Sequence, residues 1–329
     1  MRSKGYFLLL LIGMVVVAQA QQRPYYTQYI MNNYIINPAV AGIENYWDVK
    51  ASHRVQWVGL QDAPVTTYIT AHGRLKKDPY QSASATGFRA KGMNPRGEAY
   101  WRDYTAAEPH HGVGFTMLND KTGPLNRFAA YGTYYHLGLS PTTNLSAGVS
   151  VGFTNLSLDV AKLNFGNTTV DPAVASSGVI NRLKPDISAG LWLYSKDYFV
   201  GLAAQQIIPQ NVAFSDNTVS LTSGKLVPHL FLSAGYRLTI SDDFNLLPSM
   251  LVRYISPLPL GFDINAKLQY QDFLWAGTSY RYKDGFAAMV GLNLSNTLNI
   301  GYSYDIQTSR INTISRGTHE ILIGFLLGN

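Results

Sequence analysis

Residues 260–270 read Leu260-Gly261-Phe262-Asp263-Ile264-Asn265-Ala266-Lys267-Leu268-Gln269-Tyr270. Leu260, Phe262, Ile264, Ala266, Leu268 and Tyr270 share one parity, and Gly261, Asp263, Asn265, Lys267 and Gln269 the other. A period of two sends successive side chains to opposite faces of a strand. The same rhythm recurs in 144–154, where Leu145, Ala147, Val149, Val151 and Phe153 oppose Asn144, Ser146, Gly148, Ser150, Gly152 and Thr154. It recurs in 228–240 and 298–304, and nothing between Trp47 and Leu327 carries a 3.6-residue apolar stripe. The chain is all-β.

About fourteen such runs lie near 46–57, 65–75, 111–118, 127–140, 143–155, 186–195, 198–207, 227–240, 244–254, 260–270, 273–282, 285–294, 298–305 and 319–327. Several reach ten residues, beyond the usual 5–6 of a soluble strand and close to the 9–11 of a tilted transmembrane one. Alternation alone does not say which face meets solvent. A soluble sandwich turns its apolar face inwards; an outer-membrane barrel turns it to lipid and keeps polar residues in the lumen. The polar parity here is Gly, Ser, Asn and Thr with sparse charge, unlike the Lys/Glu-rich exterior of a soluble sheet. Tyr46, Trp57, Tyr194, Tyr198, Tyr254, Tyr270 and Tyr282 stand at run ends, where aromatic girdles would lie. Closure also removes the exposed edges of so many strands. The expected fold is a transmembrane outer-membrane β-barrel of about 14 antiparallel strands with a short N-terminal non-strand segment.

Composition agrees with this and excludes other classes. Of 329 residues, 14% are charged, against roughly 25% in ordinary soluble chains, and 12% are aromatic. Mean hydropathy is −0.03, which does not suit a multi-span helical membrane protein. With no cysteine, disulfide scaffolds, thiolate metal sites, cysteine nucleophiles and cysteine lipid anchors are ruled out. The net charge of +6 comes without a Lys/Arg stripe, so no nucleic-acid partner is implied.

Three segments follow. Residues 1–20 read as a signal peptide: Arg2 and Lys4, an apolar stretch from Tyr6 to Val17, then Ala18-Gln19-Ala20 as a small-x-small cleavage site. Residues 21–45 carry Tyr25, Tyr26, Tyr29, Tyr34, Ile35 and Ile36 and are too apolar for a loose tail, so they are expected to pack in or under the barrel. Residues 46–329 form the barrel. Its links alternate in length. Pro141-Thr142, Lys196-Asp197, Asp242-Asp243, Gln271-Asp272 and Asn296-Thr297 are tight turns of one parity, the periplasmic one in such barrels. The other parity holds loops 156–185, 208–226 and 306–318, and the long segment 76–110 falls on the turn side. Pro248 inside a run predicts a bulge or a reduced ladder.

Chemistry is sparse. His53, His72, His110, His111, His136, His229 and His319 form no zinc spacing, and no Gly-x-Ser-x-Gly elbow or phosphate-cradling glycine loop is present. Neither catalytic residues, a metal nor a cofactor is predicted. A barrel enzyme acting on lipid would need a hydroxyl and a histidine on neighbouring strands, a pairing that single-strand motifs do not report. Lys50, Arg54, Arg237, Arg253, Asp263, Lys267 and Arg281 share the lumen parity, and mixed signs there suit cross-pairing that holds a plug or polar contents.

Gln28-Tyr29, Asn33, Asn37-Pro38-Ala39 and Ala41-Gly42 resemble the N-terminal signature of the PorP/SprF family of type IX secretion proteins, continued by Arg54, Gln56-Trp57 and Gly59. Asn119-Asp120-Lys121-Thr122-Gly123-Pro124 resembles the family's loop after the third strand. Gly301-Tyr302-Ser303-Tyr304-Asp305 and Gly317-Thr318-His319-Glu320-Ile321 resemble its C-terminal signature. The resemblance implies a non-enzymatic outer-membrane component of type IX secretion or gliding motility. It further implies contact with membrane lipid, with other secretion and gliding proteins such as a periplasmic ring, and with a secreted surface adhesin. The signature residues are then structural or partner-contacting. The chain ends Leu327-Gly328-Asn329 without the usual terminal aromatic residue, and its 76–110 segment is longer than in many members. Within that segment Lys76, Lys77, Arg89, Lys91, Arg96, Tyr100, Trp101 and Arg102 form a candidate partner loop, since basic and aromatic residues together suit a protein contact. The alternative function is an outer-membrane channel or transporter for small or hydrophobic solutes, which needs an open or gated lumen.

Overall fold

The structure, a computed structural model, describes residues 26–76, 84–87, 108–139, 142–162, 179–212, 224–241, 243–271, 273–295, 297–308 and 310–328. The expected signal peptide and, from the candidate partner loop, Lys77, Arg89, Lys91, Arg96, Tyr100, Trp101 and Arg102 lie outside the described residues; Lys76 is described and exposed just beyond the second strand.

Fourteen antiparallel strands close into one barrel. They are β1 (Trp47–Val55), β2 (Val65–Arg74), β3 (His111–Thr122), β4 (Leu125–Leu139), β5 (Asn144–Asp159), β6 (Val179–Tyr194) and β7 (Tyr198–Gln205). Then follow β8 (His229–Tyr236, continued by Leu238–Thr239), β9 (Phe244–Ile255), β10 (Gly261–Tyr270), β11 (Leu274–Arg281), β12 (Gly285–Asn293), β13 (Leu298–Gln307) and β14 (Thr318–Leu327). Each strand pairs with its sequence neighbours, and β14 returns to β1 in the register Trp47↔Leu327 to Val55↔His319. A separate ribbon, Gln210–Val212 with Gly224–Leu226, lies in the β7–β8 connection. Among the described residues no helix is long and apolar enough to cross a membrane.

Burial decides the sense of the alternation. On β10, Ile264 is 56% exposed while Asp263 is 1% exposed; Asn265, Lys267 and Gln269 are buried and Leu268 and Tyr270 exposed. On β5, Leu145, Val149, Val151 and Phe153 face outwards while Asn144, Ser146, Ser150 and Thr154 are buried. The protein is apolar outside and polar inside, the arrangement that lipid requires. Tyr254, Tyr270 and Tyr282 join the outer face. Tyr46 and Tyr194 do not: both are buried inside the barrel, because their parity is that of the lumen.

The links β4–β5, β6–β7, β8–β9, β10–β11 and β12–β13 are short and fall together at one end, called here the turn end; the opposite, loop end holds the longer connections β5–β6, β7–β8 and β13–β14 and two short turns, β3–β4 and β11–β12. The expected loop 156–185 is shorter than its sequence suggests, because β5 continues to Asp159 and β6 begins at Val179. Pro248 sits where the β8–β9 ladder is interrupted, between Gly235↔Ser249 and Leu238↔Leu246.

Ile264 lies midway along β10 on the lipid face. Replacing it with Lys is expected to destabilise the barrel by about 2–4 kcal/mol. Urea unfolding in lipid vesicles, followed by tryptophan fluorescence, checks this; Ala266→Ser at the barrel's outer face serves as the mild control.

Candidate functional site: the filled lumen

Tyr26 to Tyr46 fill the lumen. Three single 3-10 turns, Thr27–Ile30, Asn33–Ile35 and Pro38–Val40, shorten the chain, and nearly every side chain between them is buried. The segment runs from the loop end, beside the ends of β1, β11 and β13, down to the turn end, where Trp47 begins β1. Its aromatic and aliphatic side chains pack against wall residues that include Tyr68, Leu118, Leu251, Trp275 and Leu322. Tyr26 meets Tyr68 edge-on, with centroids 5.3 Å apart. Cavities of about 30 Å³ remain beside Tyr34 and Thr116 and beside Asp48 and His72. Each has room for roughly one water molecule.

At the loop end the segment is locked by charge. Arg54 donates to Asp305 (2.6 Å) and Glu320 (3.0 Å) and, through Nη1, to Thr27 Oγ1 (2.7 Å). The Thr27 hydroxyl donates to Asp305 (2.6 Å), and its N–H to Glu320 (2.9 Å). The Gln28 N–H and the Ser52 hydroxyl complete the shell of Glu320. Beside it Arg253 donates to Asp263 at 2.7 Å, and Arg281 lies 3.6 Å from Asp263 and 2.8 Å from Asp284. Neither sign is in large surplus. The Tyr29 hydroxyl accepts from Asn265 at 2.5 Å, and burial raises its pKa above the ordinary tyrosine value.

Lower down, Asn37 caps the third turn: its Oδ1 accepts from the Ala39 N–H (2.9 Å), while its Nδ2 donates to the carbonyls of Leu191 and Leu202 at 3.0 and 3.1 Å. Pro38 supplies the pre-set φ that starts the turn. This Asn-Pro-Ala step lies on Gly148 and Gly190, which are directly paired across β5 and β6. A Cβ at Gly148 would sit 2.6 Å from the backbone of Pro38 and Ala39. A Cβ at Gly190 would collide with the Asn37 side chain. Gly42, at φ +73°, turns the chain out against Gly73 and Gly112, and His72 and His110 bond its backbone. Below it, the Glu44 carboxylate accepts from Ser84, Ala85 bonds to Ser195, and Arg237 donates to the Ala85 carbonyl. Residues 84–87 thus cap the lumen at the turn end.

The signature residues divide among these places. Gln28, Tyr29, Arg54 and Glu320 belong to the charged lock; Asn33, Asn37, Pro38, Ala39 and Gly42 shape the lower segment, Asn33 through its carbonyl to Ile36 and Asn37. Gln56 and Trp57 build the outer rim. The Gln56 N–H donates to Pro64, the Trp57 N–H to Thr318 Oγ1, and Val58 exchanges two backbone bonds with Gly317 and Arg316. Asp120 accepts from Thr66 Oγ1 at 2.6 Å. Thr122, Gly123 and Pro124 form the tight β3–β4 turn, bonded to Asp62 and Asp159. Asn119 and His319 instead point outwards, His319 beside the Tyr302 hydroxyl at 2.7 Å. Sequence reasoning missed Thr27, Glu44 and Asp48: Thr27 and Glu44 lie outside the strands, where no parity exists, whereas Asp48 stands on β1 with the lumen parity of Lys50 and Arg54 and was legible.

Among the described residues no group of three or more His, Asp or Glu side chains could hold a metal ion. Hydroxyl–imidazole contacts occur on the outer face, His53–Thr67, His111–Tyr134 and His319–Tyr302, where each satisfies a polar ring nitrogen close to lipid.

The family model described as "Type IX secretion system membrane protein PorP/SprF" matches residues 18–325. The chain belongs to the PorP/SprF family. It is therefore an outer-membrane component of type IX secretion, in a family that is not one of enzymes. No curated protein matches the sequence. Among solved structures, Omp33 of Acinetobacter baumannii is 9% identical over 87% of this chain and 100% of its own, with a TM-score of 0.47. The Ralstonia pickettii toluene transporter TbuX is 11% identical over 91% and 92%, with a TM-score of 0.47. A Pseudomonas aeruginosa FadL homologue is 10% identical over 94% and 95%, with a TM-score of 0.45. These values carry nothing beyond the barrel already described.

Arg54→Met would leave Asp305 and Glu320 buried without their cation, and is expected to cost about 3–5 kcal/mol. Denaturant unfolding of the detergent-purified PorP/SprF protein checks it. Gly148→Leu is expected to displace the Asn37–Ala39 step. Limited proteolysis should then cut between Asn33 and Val40, a stretch protected in the unaltered protein.

Proposed function

We propose that this PorP/SprF protein is a non-enzymatic, solute-tight barrel of the type IX secretion and gliding apparatus. It binds protein partners at its two ends to support export or surface attachment of secreted adhesins. One observation carries this reading: the lumen is occupied by the chain's own Tyr26–Tyr46, tied to the wall by charge at one end and by a glycine-paired notch lower down. A barrel filled in this way offers partners its rims rather than its interior. On the turn side the candidates are a periplasmic ring and the segment 76–110 with Lys76, Lys77, Arg89, Lys91, Arg96, Tyr100, Trp101 and Arg102. On the loop side the rim built by Gln56, Trp57, Asp120, Thr122, Gly123 and Pro124 faces the exported protein. The signature residues then act by fixing the shapes of the plug and the rim.

The channel reading requires Tyr26–Tyr46 to leave the lumen, against the ion pairs of Arg54 and the packing around Trp275. Two measurements decide. Deleting the gene should abolish surface delivery of a defined set of exported proteins and spreading of the cells, with general permeability unchanged. The purified protein in planar bilayers should show no steady unitary conductance, whereas a variant lacking residues 26–45 should conduct. Normal surface adhesins in the deletion strain would remove the export reading, and steady conductance of the intact protein would favour a channel.

A further inference from the structure

On β1, β2 and β3 the outer face changes character part-way along. Nearer the turn end its residues are apolar: Val49 and Ala51, Ile69 and Ala71, Phe115 and Met117. One step nearer the loop end stand His53, Thr67 and Asn119, and Lys121 follows Asn119; all four are exposed. Register brings them together. His53 pairs with Thr67 and Thr67 with Asn119, so the three form one row across three strands, with Lys121 diagonal to Thr67. Same-face neighbours in such a row stand about 5 Å apart and diagonal ones about 7–8 Å. The links that border this face, 56–64 and 123–124, are described throughout and leave the row exposed. Neither the plug nor the rim uses these side chains, although Asn119 is a signature residue.

The row is built of donors. His53 Nδ1 and Thr67 Oγ1 lie 2.8 Å apart and share one proton. Whichever of them gives it, a second donor is left over: the ring Nε2–H if the hydroxyl gives, the hydroxyl if the ring gives. Asn119 adds an amide and Lys121 an ammonium, neither with a side-chain partner among the described residues. No carboxylate shares the face. The acids of these strands, Asp48 and Asp120, have the lumen parity, and the two bordering links contain only Asp62.

On β10–β12 the outer face at the loop end is aromatic instead. Phe262 stacks on Tyr282 with centroids 4.5 Å apart, and Tyr280 meets Phe286 at 5.0 Å. Such a girdle is the ordinary way for a barrel to meet the headgroup layer. Replacing it on β1–β3 with donors and a cation, above an apolar wall, matches an anion carried on an acyl tail. A phosphate monoester offers three acceptor oxygens and close to two negative charges. We infer that His53, Thr67, Asn119 and Lys121 bind a lipid whose headgroup ends in a phosphate monoester, its acyl chains laid along Ala51, Ile69 and Met117.

The test uses the full chain purified in detergent, with native mass spectrometry counting the lipid retained. Phosphatidic acid is the probe; phosphatidylglycerol, a diester with the same tails, and inorganic phosphate are the comparisons. The unaltered protein should hold one phosphatidic acid about tenfold more tightly than phosphatidylglycerol. Inorganic phosphate at equal concentration should not displace it. Lys121→Gln and His53→Leu should each weaken retention about fivefold or more. Lys283→Gln removes an exposed cation from the β11–β12 turn, at the same end but outside the row, and should leave retention unchanged. Heat-modifiable electrophoretic migration reports that each barrel is folded; if His53→Leu fails it, Thr67→Val, in the same row, takes its place. Equal retention of the two lipids, unchanged retention in the row variants, or an equal loss in Lys283→Gln overturns the inference. Displacement by inorganic phosphate overturns it too, since the occupant would be a soluble anion. So does a dimer of the unaltered protein that Lys121→Gln dissolves, since the occupant would then be a second copy.

Discussion

The structure depends on a shortage of water inside the barrel. A wall that shows apolar side chains to lipid must turn Asn, Ser, Thr, Lys and Arg inwards, and a closed fourteen-strand wall leaves them little room for solvent once its centre is filled. Each inward polar group then needs a partner of the protein's own making. The N-terminal segment supplies many of these: Thr27 to Asp305 and Glu320, Tyr29 to Asn265, Asn32 to Thr70, Tyr34 to Thr133, and the carbonyls of Ile35 and Ile36 to Gln205. The plug and the polar face of the wall are therefore one hydrogen-bonded unit, and neither is satisfied without the other.

That dependence explains why residues far apart in sequence behave as one signature. Arg54 on β1 and Glu320 on β14 meet because the first and last strands pair, Arg54↔Glu320 being directly opposite in the register. The same pair then holds Thr27, so closure of the barrel and retention of the plug share a contact. Asn37-Pro38-Ala39 needs two residues without side chains facing it, and Gly148 and Gly190 provide them from opposite members of one strand pair. Buried ion pairs add little net stability but are costly to break singly. A lock of this kind specifies one position of the segment in the lumen more than it deepens the energy minimum.

Strand number, order and facing were legible because lipid on one side and buried polar groups on the other enforce a strict period of two. Residues 260–270 carry that rule without exception. The inward charges Lys50, Arg54, Arg237, Arg253, Asp263, Lys267 and Arg281 were legible by parity alone, and all are buried. Their partners were not, since pairing across strands depends on shear and register that no single strand records. Tyr46 and Tyr194 stood out as girdle residues by their place at strand ends, but parity outranks position and turns both inwards. The upper part of β6 escaped notice because Asn181, Arg182, Lys184 and Pro185 break the apolar rhythm. They do so because that stretch lies above the lipid, where no apolar face is required.

The same absence of lipid separates the two ends chemically. At the turn end every link but that between β2 and β3 is tight, and Glu44 and Arg237 hold residues 84–87 of that one across the lumen. At the loop end longer excursions and short turns brace one another, Val58 with Gly317 and Arg316, and Gly123 of the β3–β4 turn with Asp62. Above that rim β5 and β6 continue as a paired ribbon as far as Asp159↔Val179. Sixteen residues exceed what an apolar band demands of a tilted strand, so the length of β6 is not set by the membrane. Asn181, Arg182, Lys184 and Pro185 belong to the water beyond that band, where the rule that outward residues be apolar no longer holds.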